Sequence, residues 1–239
     1  MILEATGIRK QFGALVVLDD VEFGLGSDEA VGIVGPNGAG KTTLLDVLAG
    51  AQRPTAGSVK FGGRDVTRAG AAERCRMGVG RSHQVPRPFG GMTVFQNVLV
   101  GATTGGRERG SSAHDRCLDV LERTGLLPLA NRRAEALGLL ARKRLELARA
   151  LATDPQVLLL DEIAGGLTDE ETVELVETIN EVRRRGIAVV WIEHIVHVLV
   201  QVAERMICMA EGRVLASGSP DEVMNNPAVI SAYLGQAPA

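Results

Sequence analysis

Hydrophobic and polar positions along the chain predict an α/β protein with an added, mainly helical segment. The first thirty residues alternate between apolar and polar side chains, which is typical of antiparallel strands. From residue 154 onward, short apolar runs alternate with helical segments. This succession favours a mainly parallel sheet with helices on both faces. Residues 86–153 have mainly helical patterns.

The individual elements can be placed from the same patterns and from the turn residues between them. Strands are predicted at residues 2–5, 15–18, 21–23, 30–34, 58–61, 157–160, 187–192 and 206–210. Helices are predicted from residue 43 onward and at residues 94–100, 113–124, 134–152, 170–185 and 196–203, with a loop at 101–112. We therefore predict a single domain over residues 1–239, with a core of 1–85 and 154–239, an N-terminal antiparallel β-subdomain within that core, and an inserted helical subdomain of 86–153.

Composition narrows the classes of partner and compartment. The net charge of −3 and the pI near 5.9 give no reason to expect nucleic acid as a partner. The three cysteines are widely spaced and form no C-x-x-C pair, so we expect a reducing compartment without a disulfide framework or zinc site. No signal peptide is visible, and the apolar runs are shorter than the about 20 residues that a membrane span requires. We expect that the chain does not cross a membrane by itself.

Residues 35–43 carry the most informative motif. They fit G-x-x-x-x-G-K-[ST] and comprise Gly35, Pro36, Asn37, Gly38, Ala39, Gly40, Lys41, Thr42 and Thr43. Glycines at this spacing let backbone N–H groups turn inward and form a concave nest for phosphate oxygens. A predicted strand precedes the loop and a predicted helix follows it, so the positive end of the helix would face the phosphates. The motif predicts nucleoside triphosphate binding, with Lys41 at the β- and γ-phosphates and Thr42 as a ligand of Mg²⁺.

Two acidic residues end a later apolar strand. Asp161 and Glu162 directly follow residues 157–160. Hydrolysis of a magnesium nucleotide needs one carboxylate that holds the metal or its waters and another that polarises the attacking water. We assign Asp161 to Mg²⁺ and Glu162 to the general base. A solvated acidic cap on the strand is the alternative.

One histidine occupies a comparable position. His194 lies at the carboxyl end of the predicted strand 187–192, the edge of a parallel sheet at which ligands bind. We predict that it contacts the γ-phosphate during catalysis, with a structural histidine as the alternative. The other histidines, at positions 83, 114 and 197, have no such placement and are assigned to the surface or to packing.

Together these residues resemble the ATP-binding subunits of ABC transporters, and the resemblance covers nearly the whole chain. Residues 35–43 are similar to the Walker A motif of that family and residues 158–162 to its Walker B motif. The resemblance implies a P-loop NTPase (ABC ATPase) core and the cofactors ATP and Mg²⁺. It also implies that Gln84 senses Mg²⁺ and the membrane partner, and that Phe12, which precedes a glycine, stacks on adenine. A core position for Phe12 is the alternative.

Weaker cues resemble the branched-chain amino acid importer subgroup. They lie at residues 91–94, 97–101, 192–194 and 226–235. This resemblance implies import of branched-chain amino acids, with urea and amides left open. It implies transmembrane permease subunits, a second ABC ATPase subunit and, through the complex, a solute-binding protein as partners. It also implies a peripheral position on the cytoplasmic face of the cell membrane, with residues 85–91 meeting a coupling helix of the permease.

The chain departs from the family at the signature loop. In ABC ATPases each ATP lies between Walker A of one subunit and the Leu-Ser-Gly-Gly-Gln loop of the other. The register here places Gly138 at the serine, Leu140 at the second glycine and Ala141 at the glutamine. Gly138 is therefore the position expected to contact the nucleotide, but it lacks the hydroxyl of the family's serine. A hydrogen bond to a charged group is worth about 1.5–3 kcal/mol, so losing one or two weakens nucleotide binding about tenfold or more. The loop after Walker B departs as well, because Ile163 replaces the usual proline.

The resemblance leaves two questions open. An asymmetric heterodimer, whose partner subunit supplies an intact signature, is favoured over a homodimer that tolerates the departure. ATP hydrolysis is favoured over a largely non-hydrolytic ATP-binding subunit that stabilises an assembly. A soluble ABC ATPase of DNA repair or translation is disfavoured, because no long coiled-coil insertion and no tandem cassette is visible.

Overall fold

The computed structural model describes residues 1–234 and divides into two compact units. Unit 1 comprises Met1–Ala71 and the described residues from Ala188 onward, and unit 2 comprises Ala72–Ile187. The predicted helical subdomain, 86–153, lies within unit 2. Gly235, the last residue of the tail motif, lies outside the described residues.

Strands and helices alternate along most of the described chain. The strands are β1 (Leu3–Phe12), β2 (Leu15–Leu25), β3 (Ala30–Val34), β4 (Ala56–Phe61), β5 (Arg64–Asp65), β6 (Val79–Arg81), β7 (Val157–Asp161), β8 (Ala188–Ile192), β9 (Arg205–Ala210) and β10 (Arg213–Gly218). The α-helices are α1 (Lys41–Ala49), α2 (Ala71–Met77), α3 (Val94–Val100), α4 (Gly110–Arg123), α5 (Leu139–Leu151), α6 (Asp169–Arg184), α7 (Val196–Leu199), α8 (Pro220–Met224) and α9 (Pro227–Leu234). A π-helix covers Gly101–Gly105, and short 3₁₀ turns cover Leu127–Leu129 and Ala134–Ala136.

Unit 1 contains an antiparallel sheet and a mainly parallel group of strands. The antiparallel sheet has the order β2-β1-β4-β5, as the alternating N-terminal pattern predicts. In the second group, β3 is parallel to both β8 and β9, and β9 continues into the antiparallel hairpin with β10. All five residues of β3 are buried, as expected for a central parallel strand covered on both faces. The predicted strands 15–18 and 21–23 form one strand, β2.

Unit 2 combines a parallel strand pair with the helices of the predicted insertion. Strands β6 and β7 are parallel, with Val79 opposite Val157. Helices α3 and α4 pack together, and α3 also packs on α5. Helix α6 begins with a capping box, in which Thr168 accepts a hydrogen bond from the backbone of Glu171 while the Glu171 side chain bonds back to Thr168.

Several sequence-based boundaries are wrong: the strand predicted at 2–5 extends over Leu3–Phe12, and three differences concern helices. The helix predicted at 134–152 begins only at Leu139, because Gly138 is extended and forms its N-cap. The predicted loop at 101–112 contains the π-helix and the start of α4. The helix predicted at 196–203 ends at Leu199, whose carbonyl then accepts the N–H groups of both residues 202 and 203 in a tight turn.

Close packing explains the glycines that suggested a loop. A Cβ at Gly101 would lie 2.6 Å from the carbonyl oxygen of Arg149, and one at Gly105 would lie 2.5 Å from Cγ2 of Thr153. The glycines therefore let the π-helix approach the end of α5 and do not mark an irregular segment. Within the described residues, no helix combines the length and the apolar character that crossing a bilayer would require.

Candidate nucleotide-binding site

The phosphate loop leaves the carboxyl end of β3 in a conformation that only glycine permits. Gly35 has a φ of +142°, and a Cβ there would lie 2.1 Å from the carbonyl oxygen of Met209. Gly40 has a φ of +96°, and its Cβ would approach Val17 and Leu18 to 2.8 Å. The two glycines that frame the motif are therefore fixed by close contacts with β2 and β9.

Lys41 lies across the loop that precedes it. Its ammonium donates hydrogen bonds of 2.6 Å to the carbonyl oxygen of Gly35 and 3.0 Å to that of Pro36, and the residue is buried. Gly40, the N-cap of α1, supplies no side-chain cap, and Thr42 is exposed in the first turn of the helix. A positive charge beside the N-terminus of a helix fits the polyphosphate predicted for this loop.

The remaining loop residues divide between the surface and the interior. Asn37 and Gly38 are exposed, Ala39 is buried, and Thr43 is partly buried in α1. The turn between β9 and β10 supports the loop, because the N–H of Gly212 donates a 3.2 Å hydrogen bond to the carbonyl oxygen of Ala39.

Phe12 lies at the end of β1 with its ring largely accessible. The residue is 47% exposed, and the ammonium of Lys10 lies 4.7 Å from the centre of the ring. This exposure disfavours the alternative that Phe12 is a core residue. The lysine covers one face of the ring, and the opposite face suits stacking with a nucleobase.

His194 follows β8 and projects from the sheet. Its side chain is 60% exposed, with Nδ1 lying 3.7 Å from Oε2 of Glu193, whose side chain is fully buried. The alternative of a packed structural histidine is therefore disfavoured. An accessible imidazole at the carboxyl end of a parallel strand remains compatible with contact to a ligand.

In unit 2, the buried Asp161 carboxylate lies against an arginine. Asp161 ends β7 with 3% of its side chain exposed, and Oδ2 lies 3.5 Å from a guanidinium nitrogen of Arg81. Arg81 ends the adjacent strand β6, and its side chain is 14% exposed. The sequence reasoning overlooked Arg81. A charged residue at the end of a short, otherwise buried strand is the signal that would have found it.

Gln84 and Glu162 are directly bonded. The Gln84 amide donates a 2.5 Å hydrogen bond to Oε2 of Glu162. Glu162 has a φ of +45°, a left-handed conformation that costs energy for a residue other than glycine and that is concentrated at functional sites. Beside them, burial lowers the pKa of His83, and the nearby charge of Arg81 lowers it further, so the imidazole is held neutral.

The segment that follows Gln84 is fastened to helix α5. The backbone N–H of Arg87 donates a 2.8 Å hydrogen bond to Glu146, and Arg149 donates one of 2.9 Å to the carbonyl oxygen of Arg87. The Arg149 guanidinium also lies 4.9 Å from the ring centre of Phe89. Val85 and Phe89 are nevertheless 65% and 45% exposed, so the segment presents apolar surface while its backbone is fixed. The sequence reasoning missed both α5 residues.

The degenerate signature loop forms the N-terminus of α5. Gly138 is the N-cap of the helix. Because it has no serine hydroxyl, it makes no side-chain capping bond. Leu139 is 45% exposed and lies beside Gly166, where a Cβ would come within 3.3 Å of its Cδ2. Leu140 and Ala141 follow within the helix. This end of the helix therefore presents aliphatic side chains where the family has polar groups and glycine.

The donor set that the sequence assigns to a metal suits Mg²⁺. Thr42, Gln84 and Asp161 offer a hydroxyl, an amide oxygen and a carboxylate, which are the hard oxygen ligands that Mg²⁺ prefers. The described residues contain no group of three or more His, Cys, Asp or Glu side chains arranged for a metal.

Comparisons with known proteins identify the family. A model of the ABC transporter family matches residues 18–165, more than half of the chain. This chain belongs to the ABC transporter family. A second model, described as branched-chain amino acid ATP-binding cassette transporter, matches residues 213–239 of the cassette.

Relatives of similar length support the same assignment. The cassette is 39% identical to the high-affinity branched-chain amino acid transport ATP-binding protein LivG of Salmonella typhimurium, over 99% of this chain and 98% of LivG. It is 34% identical to the high-affinity branched-chain amino acid transport ATP-binding protein BraF of Pseudomonas aeruginosa, over 99% of this chain and 98% of BraF. A solved nucleotide-free ATP-binding cassette matches with a TM-score of 0.90 at 28% identity, over 98% of this chain and 99% of that one. A cassette solved in its ADP conformation matches with a TM-score of 0.89, also at 28% identity and over the same shares. The predicted family and fold class are confirmed.

Proposed function

We propose that this cassette is the ATP-binding and ATP-hydrolysing subunit of an ABC importer for branched-chain amino acids or related small polar solutes. The observation that carries the proposal is the similarity over nearly the whole length to LivG and BraF, both named for high-affinity transport of branched-chain amino acids. The match of residues 213–239 to the branched-chain amino acid cassette model supports the same substrate class independently.

Within this proposal each group of the predicted site residues has a role. Residues 35–43 bind the phosphates through backbone N–H groups, Lys41 neutralises the β- and γ-phosphates, and Phe12 stacks on adenine. Thr42, Gln84 and Asp161 hold Mg²⁺, which neutralises charge that develops on the phosphates. Glu162 accepts a proton from the attacking water, Gln84 orients its carboxylate, and His194 contacts the γ-phosphate.

The partners follow from the proposed import function. The cassette is peripheral on the cytoplasmic face of the membrane, where residues 85–91 meet a permease subunit. The exposed side chains of Val85 and Phe89 on a fixed backbone support this surface. A second ATPase subunit completes each ATP site, and a solute-binding protein delivers the substrate to the assembled complex.

The test of the proposed function is reconstitution. The cassette is purified with its permease subunits, inserted into liposomes and supplied with the solute-binding protein and ATP. We expect ATP-dependent uptake of labelled leucine or isoleucine, abolished by Glu162→Gln in this subunit. Uptake of urea or an amide in place of leucine would reassign the substrate. ATP-independent uptake, or none of any of these solutes, would contradict the importer function.

We further propose that the ATPase pair is an asymmetric heterodimer. The signature loop at residues 137–141 lacks the serine, both glycines and the glutamine, while residues 35–43 and the Asp161–Glu162 pair match the family pattern. In such a pair the site that uses this signature hydrolyses poorly, and the site that uses the partner subunit's signature hydrolyses well.

The heterodimer can be tested by restoring the signature. Position 138 has open space where a Cβ would project, so Gly138→Ser fits without steric conflict. We expect slow hydrolysis by the isolated cassette and faster, cooperative hydrolysis by the quadruple variant Gly138→Ser, Leu139→Gly, Leu140→Gly and Ala141→Gln. Leu118→Ala, at an exposed position on α4, is the control and should leave the rate unchanged. Robust cooperative hydrolysis by the unmodified isolated chain would overturn the heterodimer.

A further inference from the structure

A tight turn connects the proposed permease surface, residues 85–91, to helix α3 in unit 2. The N–H of Met92 donates a 3.0 Å hydrogen bond to the carbonyl oxygen of Phe89, with two glycines between them. Thr93 then caps α3, since its hydroxyl accepts a 3.1 Å hydrogen bond from the N–H of Gln96. The turn therefore leads directly from Phe89 into the start of the helix.

A buried asparagine of α3 bonds to both backbone groups of Phe89. Asn97 is fully buried, and its Oδ1 accepts a 2.8 Å hydrogen bond from the N–H of Phe89. Its Nδ2 donates hydrogen bonds of 3.1 Å to the carbonyl oxygen of Phe89 and 2.9 Å to that of Thr93. The amide oxygen and both amide protons thus have partners, which is the full set of bonds that places an asparagine here.

The chemistry of this contact requires an asparagine at position 97. An aspartate would still accept from the N–H of Phe89, but it would place a second oxygen against two carbonyl oxygens. A leucine of similar size would leave the backbone groups of Phe89 without these bonds, and buried polar groups that lack partners are costly. Asn97 therefore fixes the backbone of Phe89, eight positions earlier in the chain.

The ring of Phe89 is covered on one face by helix α5. The guanidinium of Arg149 lies 4.9 Å from the ring centre, and Arg149 is itself held by a 2.7 Å hydrogen bond to Glu146. Phe89 is nevertheless 45% exposed. An accessible aromatic ring with a fixed backbone suits the centre of a protein interface, because little conformational freedom is left to lose on binding.

We propose that Phe89 is the residue that anchors the permease subunit on this cassette, and that Asn97 is the positioning residue that holds it for this contact. This inference rests on the proposed importer function and specifies one contact within residues 85–91. Val85 and Met92, at 65% and 39% exposure, extend the apolar surface around the ring. The partner is therefore an apolar pocket on the cytoplasmic side of the permease. Loss of Asn97 weakens the binding of the permease through the misplacement of Phe89.

The test measures binding of the detergent-solubilised permease subunits to variants of the full chain. Phe89→Ala removes the anchor, and we expect about tenfold weaker binding or more. Asn97→Ala leaves the ring but frees its backbone, and we expect about threefold to tenfold weaker binding. The double variant should bind no more weakly than Phe89→Ala alone, because Asn97 acts through Phe89.

Val98→Ala is the matched control for loss of stability. Val98 is fully buried in the same helix, and its aliphatic side chain forms no hydrogen bond with Phe89. We expect lower midpoints of thermal unfolding for both Val98→Ala and Asn97→Ala, but weaker permease binding only for the latter. If Asn97→Ala does not fold, Asn97→Ser takes its place, since the single hydroxyl of serine cannot supply all three bonds.

Hydrogen exchange of the isolated chain tests the positioning directly. In the Asn97 variant the backbone amides of residues 89–92 should exchange faster, because the N–H of Phe89 has lost its acceptor, while amides within α5 keep their rates. Val98→Ala should not reproduce this local change.

Four results would overturn the proposal. They are equal losses of permease binding in Asn97→Ala and Val98→Ala, additive losses in the double variant, full binding by Phe89→Ala, and unchanged exchange at residues 89–92 in the Asn97 variant. A different result marks failure of the proposed function: the unmodified cassette would then bind no permease, and the inference would fall with it.

Discussion

The side-chain amide of Gln84 donates a 2.5 Å hydrogen bond to Oε2 of Glu162, so the proposed metal sensor holds the proposed general base. The preceding acid has a similar contact: Oδ2 of Asp161 lies 3.5 Å from a guanidinium nitrogen of Arg81, three positions before Gln84. One short segment, residues 81–84, therefore contacts both carboxylates of the Walker B motif.

Glu162→Gln should retain ATP binding and abolish turnover. The substitution preserves size but removes the basic oxygen, and loss of a general base lowers turnover by about 10²-fold or more. Measurements of nucleotide affinity and of phosphate release separate the two effects. Glu170→Gln, at an exposed position of α6, is the matched control and should leave both unchanged. Substantial turnover in Glu162→Gln would show that another group is the base.

Arg81→Gln should destabilise the chain. The substitution leaves the buried Asp161 carboxylate without its guanidinium partner, and breaking a buried ion pair in this way costs about 3–5 kcal/mol. For a protein of this size we expect the midpoint of thermal unfolding to fall by roughly 10 °C. The control is Arg133→Gln, whose ion pair with Glu135 is exposed on both sides and contributes little. Equal midpoints for the two variants would contradict the importance of the Arg81–Asp161 pair.

Gly35→Ala should be more destabilising than Gly38→Ala. Both glycines have positive φ, but the value of +142° at Gly35 is less accessible to alanine than the +80° at Gly38, and only a Cβ at Gly35 meets a backbone atom. Relief of the 2.1 Å contact with Met209 requires a shift of the loop or of β9, and we expect a further loss of about 2 kcal/mol. Chemical denaturation without nucleotide measures the difference. If the two variants unfold at the same denaturant concentration, the loop does not depend on its approach to β9.

Phe12→Ala should raise KM for ATP about tenfold, while kcat changes little. Stacking of a base on an aromatic ring contributes about 1–3 kcal/mol to binding, and the ring takes no part in the chemical step. Phe12→Tyr should restore the affinity because it keeps the ring. Leu15→Ala, at a more exposed apolar position of the same hairpin, is the control for nonspecific loss of surface. An unchanged KM in Phe12→Ala would exclude the adenine contact.

The parts of the cassette that depend on local sequence could be predicted. The loop at 35–43 is recognisable because its glycines meet a requirement of the backbone that no other residue meets, and β3 because all of its residues are apolar. The pairing of Arg81 with Asp161 could not be predicted, since it depends on the parallel register that places Val79 opposite Val157.

The start of α5 and the π-helix show a second limit of prediction from local sequence. Residues 134–152 have a continuous helical pattern, yet Gly138 adopts an extended conformation and delays the start of α5. Gly101 and Gly105 have the composition of a loop, but their lack of a side chain serves close packing on α5. In both cases the same residue type is compatible with two local structures, and tertiary contacts decide between them.

The hydrogen bonds of Arg87 with Glu146 and Arg149 attach the proposed permease surface to helix α5. The helix extends over 13 residues, with these two side chains in its second half and Gly138 at its opposite end. Helix α5 therefore connects the proposed permease surface to the signature loop. In this chain the attachment of residue 87 is present, whereas the other end of the helix carries aliphatic side chains in place of the polar groups of the family signature.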